Sequence, residues 1–103
     1  MKTYYTSTTH ISEDGLSTRW LTDEEGGRVC KAEFMHDEHG NAIVIQLDTP
    51  VVYRGLGYAR RLLSEIQKRE TSGNLMVLAN AHAAPYYKKL GYTEVAPFVF
   101  RAN

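Results

Sequence analysis

One cysteine, three prolines and no net charge mark what this chain of 103 residues has little of. The lone thiol, Cys30, excludes an internal disulfide and fits a reducing cytoplasm. No apolar run approaches the roughly 20 residues that cross a bilayer. The start, MKTYYTSTTH, is polar and holds no apolar core of a leader, so neither a membrane nor a secretory route is expected. The even charge balance lacks the basic excess of a nucleic-acid binder. Metal-ligand patterns are also scarce. His36-x-x-His39 lies in a polar turn with no further ligand at a recognisable spacing, so no metal is expected. With no repeat, linker or low-complexity segment, residues 1–103 read as one domain, which by the usual scaling buries somewhat over ~60% of its unfolded surface.

The charge that is present is unevenly spread. Residues 1–50 carry four basic and nine acidic groups, net −5, and residues 51–103 carry eight basic and three acidic groups, net +5. A basic half suits a polyphosphate ligand, an acidic half a cationic one.

Within the basic half, Val51 to Glu70 joins a compact glycine turn to an amphipathic helix. Ala59, Leu62, Leu63 and Ile66 fall on one stripe at helical spacing, while Arg60, Arg61, Ser64, Glu65, Lys68 and Arg69 take the other side. Gly55 and Gly57 stand where a strand must turn sharply into that helix, and lacking Cβ they let backbone N–H groups approach a ligand. The unpaired first-turn donors and the positive end of the helix dipole, flanked by Arg54 and Arg60, form a site suited to phosphate oxygens. The Walker pattern needs a Gly-Lys-Ser/Thr ending that is absent, and the dinucleotide fingerprint needs a third glycine where Arg60 stands. On the turn alone, a phosphate cradle and a plain strand-to-helix connection remain equal readings.

The rest of the chain reads as α+β. Residues 2–9 suggest a short strand and Leu16 to Leu21 a better one, followed by a turn at Asp23 to Gly27 and a strand over Val29 to Phe34. The polar segment His36 to Asn41 reads as a hairpin turn. Ala42 to Leu47 is nearly continuously apolar, the mark of a strand covered on both faces. Beyond the helix, Thr71 to Asn74 is a stop signal, and Leu75 to Ala79 predicts a strand parallel to Ala42–Leu47 through a right-handed crossover. A second helix is expected within Ala83 to Leu90, Pro85 in its first turn and Gly91 ending it, and Tyr92 to Arg101 as one final strand. The order is antiparallel strands, then βαβαβ. Cys30, mid-strand, reads as a small buried apolar residue.

Arg54, Gly57 and Ala59 match the pyrophosphate motif Arg/Gln-x-x-Gly-x-Gly/Ala. Asn80, Ala83, Tyr86, Tyr87, Gly91 and Tyr92 match a second pattern, Asn-x-x-Ala-x-x-aromatic-Tyr-x-x-x-Gly-Phe/Tyr, in the same order and separation. In carrying both, residues 42 to 92 resemble the GNAT superfamily of acyl-coenzyme A-dependent N-acyltransferases. The resemblance implies a mixed sheet whose two central parallel strands splay apart. It implies acetyl-CoA as co-substrate, held by Leu47, Thr49, Val51 and Val52 along the first splayed strand, by Arg54, Gly55, Leu56, Gly57, Tyr58, Ala59 and Arg60 at the turn, and by Asn80. It implies that Tyr87 protonates the leaving sulfur, with Tyr86 and Tyr92 as packing residues.

Many members of the family carry a glutamate where Asn41 or Ala42 stands here, which leaves Asp48, Glu33 and His36, or a water held by one of them, as candidates for the base, Asp48 foremost. Pro50 also sits one residue earlier than the proline often seen before the arginine. The family has a strand and two helices ahead of the sheet where about fifteen residues stand here, which implies an open acceptor side. The expected acceptor is a cationic amine, a protein lysine foremost, with a homodimer as the alternative way of walling the pocket. The alternative from another class is a catalytically weak or inactive module that keeps the fold and binds coenzyme A or a partner protein.

Overall fold

The computed structural model describes residues 4–6 and 10–103, with side chains from residue 10 onward. Eight strands form one mixed sheet with two helices. The strands are β1 (Tyr4–Thr6), β2 (His10–Ile11), β3 (Ser17–Asp23), β4 (Arg28–His36), β5 (Ala42–Asp48), β6 (Leu75–Leu78), β7 (Thr93–Ala96) and β8 (Val99–Arg101). The helices are α1 (Tyr58–Glu70) and α2 (Ala84–Lys89). Strand order is β1-β3-β4-β5-β6-β8-β7, with β2 also paired to β3. The strand expected over residues 2–9 is present as β1, and residues 2, 3 and 7–9 lie outside the described part. All neighbours are antiparallel except β5 and β6, joined in parallel by the α1 crossover as the sequence order requires.

Alternation along β3 and β4 decides which face is covered. Ser17, Arg19 and Leu21 on β3, and Cys30, Ala32 and Phe34 on β4, are buried, with the residues between them more exposed. On α1, Leu62, Leu63 and Ile66 are fully buried and share one core with Ala32, Val44, Val77, Ala84, Tyr87 and Phe100, so both helices pack on the same face. Arg19 reaches Glu70 at the end of α1 with its Nη1 at 2.7 Å from Oε1, and His36 Nε2 lies 2.6 Å from the Glu70 carbonyl oxygen. Two strands are thereby tied to the helix's last turn, where cations complement the dipole.

Two expectations need correction. Tyr92 to Arg101 is a hairpin rather than one strand: Pro97 and Phe98 turn the chain, β8 pairs with β6, and β7 is the sheet edge. Pro97 cannot donate to a ladder, which is why the strand breaks there. Ala42–Leu47 is not covered on both faces. Ile45 is 39% exposed, and Met35 and Leu78 are likewise exposed, all away from the helices' packing face or at its margin. An apolar run cannot tell a doubly covered strand from one whose second face lies open.

Candidate active site

The cleft begins where two strands part. β5 and β6 pair at Ala42↔Leu75, Ile43↔Met76 and Val44↔Val77, and the ladder stops there although β5 runs on to Asp48. On its other side β5 pairs Val44 with Phe34 and then Gln46 with Glu33, so Ile45 is an extra residue. Such a bulge bends and twists the strand that carries it. It also resets the alternation: Leu47 now stands opposite buried Ala32, while Gln46 and Asp48 stand opposite Glu33 and Lys31. β6 is pulled the other way, because the Ala79 N–H donates to the Phe98 carbonyl of the hairpin at 2.8 Å.

Between them opens a cleft of about 380 Å3, lined by Val44 to Leu47, Val77 to Asn80, Ala83 and Tyr87. That volume lies within the range of small-molecule sites, roughly 300 to 1,000 Å3. Val44, Ile45, Gln46, Val77, Leu78 and Ala79 line it without having been named from the sequence. A bulge leaves no local signature in a continuous apolar run, so no signal pointed to them.

The glycine turn caps one end of α1. Pro50 starts a single 3-10 turn over Val51–Tyr53, with Val51 and Val52 exposed. Gly55 and Gly57 adopt φ of 78° and 83°, a left-handed conformation that glycine enters without strain. Gly57 is the residue before α1, and the first intrahelical bond runs from Arg61 N–H to its carbonyl at 3.1 Å. Amides ahead of that bond point outward along the axis. No acidic residue stands in the first turn, and a Cβ built at Gly55 or Gly57 meets nothing within 4 Å, so the cradle is open to a ligand. Arg54 lies over the turn, its Nε donating to the Thr49 carbonyl at 2.9 Å. Tyr53 and Tyr58 meet edge to face at 6.1 Å, and Ala59 packs against the core while Arg60 is exposed. Leu56 is exposed at the tip of the turn.

Asn80 closes the start of α2. Its Oδ1 accepts from Ala83 N–H at 2.8 Å and its carbonyl from Ala84 N–H at 2.9 Å. That local closure aims Tyr87 inward, where it is 5% exposed among Tyr86, Tyr92 and Phe100, centroids 5.3 to 5.9 Å away. Burial, with smaller effects from neighbouring Tyr86, Tyr92 and Cys30, holds the Tyr87 phenol well above its usual value of 10.0. Burial also pushes Tyr92 up to about 12 and raises Tyr86. All three therefore stay neutral in the folded protein at pH values where an unfolded chain ionises. Folded-state values are raised, so their contribution to stability is whole below pH 10 and is lost as pH climbs from there through the folded-state values. Urea titrations should show stability falling steeply between pH 10 and 12, with Tyr87→Phe flattening the fall. A flat curve in the parent over that span counts against buried neutral phenols.

Candidates for a base divide by position. Asp48 ends β5 one residue beyond the cleft-lining Leu47 and opposite Lys31, and is not itself part of the cleft lining; Glu33 stands across from Gln46, paired to Lys31 Nζ at 3.3 Å. His36 lies at the other end of β4, opposite Ala42 and engaged with Glu70, away from the cleft. Cys30 is buried beneath Thr49, its Sγ 3.1 Å from Thr49 Oγ1, and burial raises its thiol, which disfavours the thiolate a nucleophile needs. Among the described residues no His, Cys, Asp and Glu cluster could hold a metal, and no helix is long and apolar enough to cross a membrane.

The mixed sheet thus carries a splayed parallel pair, a glycine-turned helix following the first of the two strands, and a buried tyrosine in the wall of the splay. The acetyltransferase (GNAT) domain model matches residues 17–94, and the chain belongs to that family. No curated protein matches it. Tetrahymena GCN5 shares the fold at a TM-score of 0.68 with 16% identity, over 87% of this chain and 69% of that one. The spermidine/spermine N-acetyltransferase SpeG from Vibrio cholerae, solved in mutant forms, aligns at 0.68 with 15% identity, over 89% and 68%. The KacTA protein in its complex with DNA aligns at 0.71 with 14% identity, over 88% and 69%. The chain spans 57% of the length of a Deinococcus radiodurans protein of the same fold.

Proposed function

We propose that this chain transfers an acetyl group from acetyl-CoA to a cationic primary amine, a protein lysine foremost, by direct attack in a ternary complex. The observation that carries the proposal is the cleft between β5 and β6, walled by Tyr87, with the glycine turn and α1 following β5 in the chain. The pyrophosphate would lie on the amides of the glycine turn beside Arg54 and Arg60, with the pantetheine arm along β5 past Leu47 and near Asn80. The fit rests on positive-φ glycines with open space around them and on a first turn free of carboxylates.

Each residue then has a task in one balanced step. Backbone N–H of β5 polarises the thioester carbonyl, and the amine nitrogen attacks its carbon as the C–S bond breaks. Asp48, or a water it holds, takes the proton the amine loses. Tyr87 faces the departing sulfur. With its phenol raised so far by burial, it holds its proton more tightly than an ordinary thiol of pKa ~8.5, so it stabilises the thiolate by donating a hydrogen bond, and full transfer follows from solvent. The reducing cytoplasm is the compartment that fits one buried free thiol.

Acidic groups at the cleft end of the sheet, Glu33 and Asp48 with Glu24 and Glu25 in the β3–β4 turn, would draw a positive acceptor. Asp37 and Glu38 belong to the far turn. Asp37 is occupied there, accepting from His39 and Asn41 N–H, so the acidic stretch of the sequence does not act as one field. Turnover on lysine peptides should fall several-fold between ~50 and 300 mM salt by screening. Light scattering run beside the assay reports whether a second copy completes the acceptor wall. Native mass spectrometry showing bound coenzyme A, together with turnover on amines, supports the proposal, and a protein that neither carries nor binds acetyl-CoA rejects it.

A further inference from the structure

Thr49 is the first residue past the end of β5. The ladder with β4 ends at Lys31↔Asp48, and Pro50, with φ −52° and no N–H to donate, opens the 3-10 turn that leads away from the sheet. From there to Gly57 the chain is lightly held. Tyr53 N–H donates to the Pro50 carbonyl and Arg54 N–H to the Val51 carbonyl, bonds that shape the turn without tying it to a strand, while Val51, Val52 and Leu56 stand exposed.

Thr49 supplies a tie. Its Oγ1 lies 3.1 Å from the Sγ of Cys30, a fully enclosed residue of β4, so the hydroxyl faces back into the core beneath the turn. Threonine is stiff at χ1, and a rotamer fixed in this way narrows the backbone conformations that fit it. Its carbonyl in turn accepts from Arg54 Nε at 2.9 Å. The guanidinium is planar, so one bond at Nε restricts its plane and leaves Nη1 and Nη2, a fork that matches two phosphate oxygens. Among the described residues no ion pair occupies that fork.

Building on the transferase reading above, we propose that Thr49 is a positioning residue for the co-substrate: pinned to Cys30 through its hydroxyl, it holds Arg54 through its carbonyl and so presents the guanidinium to the pyrophosphate. An exposed arginine on a loose turn would otherwise surrender its rotamer freedom each time the co-substrate binds, and the two bonds settle that in advance. The thioester lies at the far end of the same molecule. Losing the tie therefore weakens binding in ground state and transition state alike, which raises KM for acetyl-CoA and leaves kcat where it was.

Thr49→Val keeps the side-chain shape and deletes the hydroxyl, and Cys30→Ala deletes its partner. Each should weaken acetyl-CoA about fivefold by calorimetry, the equivalent of one hydrogen bond, with kcat unchanged. Use of S-acetylpantetheine, which has no pyrophosphate, should be unaffected, and Thr49→Ser, which keeps the hydroxyl, should bind acetyl-CoA like the parent. A double-mutant cycle asks whether the effect runs through Arg54: added to Arg54→Ala, Thr49→Val should cost nothing more. Thr49→Val binding as tightly as the parent, losing as much with S-acetylpantetheine, or losing as much again on the Arg54→Ala background overturns the proposal.

A second arm needs neither turnover nor co-substrate. The Arg54 Nε–H signal of 15N-labelled protein, assigned by its loss in Arg54→Ala, should exchange with water more slowly in the parent than in Thr49→Val or Cys30→Ala. Equal exchange in all three overturns the proposal whatever the affinities show. A protein that gives the slow signal and the expected cycle yet acetylates no amine leaves this assignment standing and removes the transferase reading instead.

Discussion

Gly57→Asp is expected to lower affinity for acetyl-CoA at least a hundredfold, about 2.7 kcal/mol, while the fold survives. At φ 83° the residue before α1 tolerates a side chain at a cost of roughly 1 to 2 kcal/mol, and aspartate is among the residues that bear this conformation best. A Cβ there meets nothing within 4 Å, so no neighbour need shift. The loss therefore comes from charge: a carboxylate enters a cradle of backbone donors beside Arg54 and Arg60, where it both repels pyrophosphate and occupies its hydrogen bonds. Gly57→Asn matches it in shape without the charge and should lose far less. Calorimetry against acetyl-CoA, with a thermal melt of each variant, decides the matter. If the aspartate variant binds as tightly as the parent, the phosphates lie elsewhere.

Turnover by Tyr87→Phe should fall roughly ten- to a thousand-fold, the range for losing a positioned donor at a leaving group, with acetyl-CoA affinity nearly unchanged. Phenylalanine keeps the ring packing against Tyr92 and Phe100, so the loss isolates the hydroxyl. Tyr86→Phe, at an exposed ring on the same helix, should cost much less. Because burial raises the Tyr87 phenol, its protonated, donating form persists through the working range, and the parent should show no alkaline loss of kcat assignable to this group below pH 10. Equal turnover by Tyr87→Phe and the parent would leave the thiolate to solvent alone. A parent that binds acetyl-CoA but acetylates no amine would instead point to the non-catalytic module.

Local sequence was sufficient wherever chemistry within a few residues sets the outcome. Helix α1 follows from the spacing of Leu62, Leu63 and Ile66, and its start from two glycines that enter the required left-handed backbone without strain. The parallel pairing of β5 and β6 follows from the chain order, since a strand, a helix and a strand close in one hand. Asn80 closes the turn before α2 and Tyr87 lies within α2, so one short turn-helix unit brings both to the cleft wall. Tertiary structure decided the rest. The splay depends on a register slip at Ile45 against Phe34 and Glu33 and on the Ala79–Phe98 hydrogen bond, contacts between residues far apart in the chain. The separation of His36 from the cleft and its engagement with Glu70 come from strand direction, which no local pattern encodes. The open sheet face was equally hidden, because apolar residues record that a strand is buried somewhere and not what covers it.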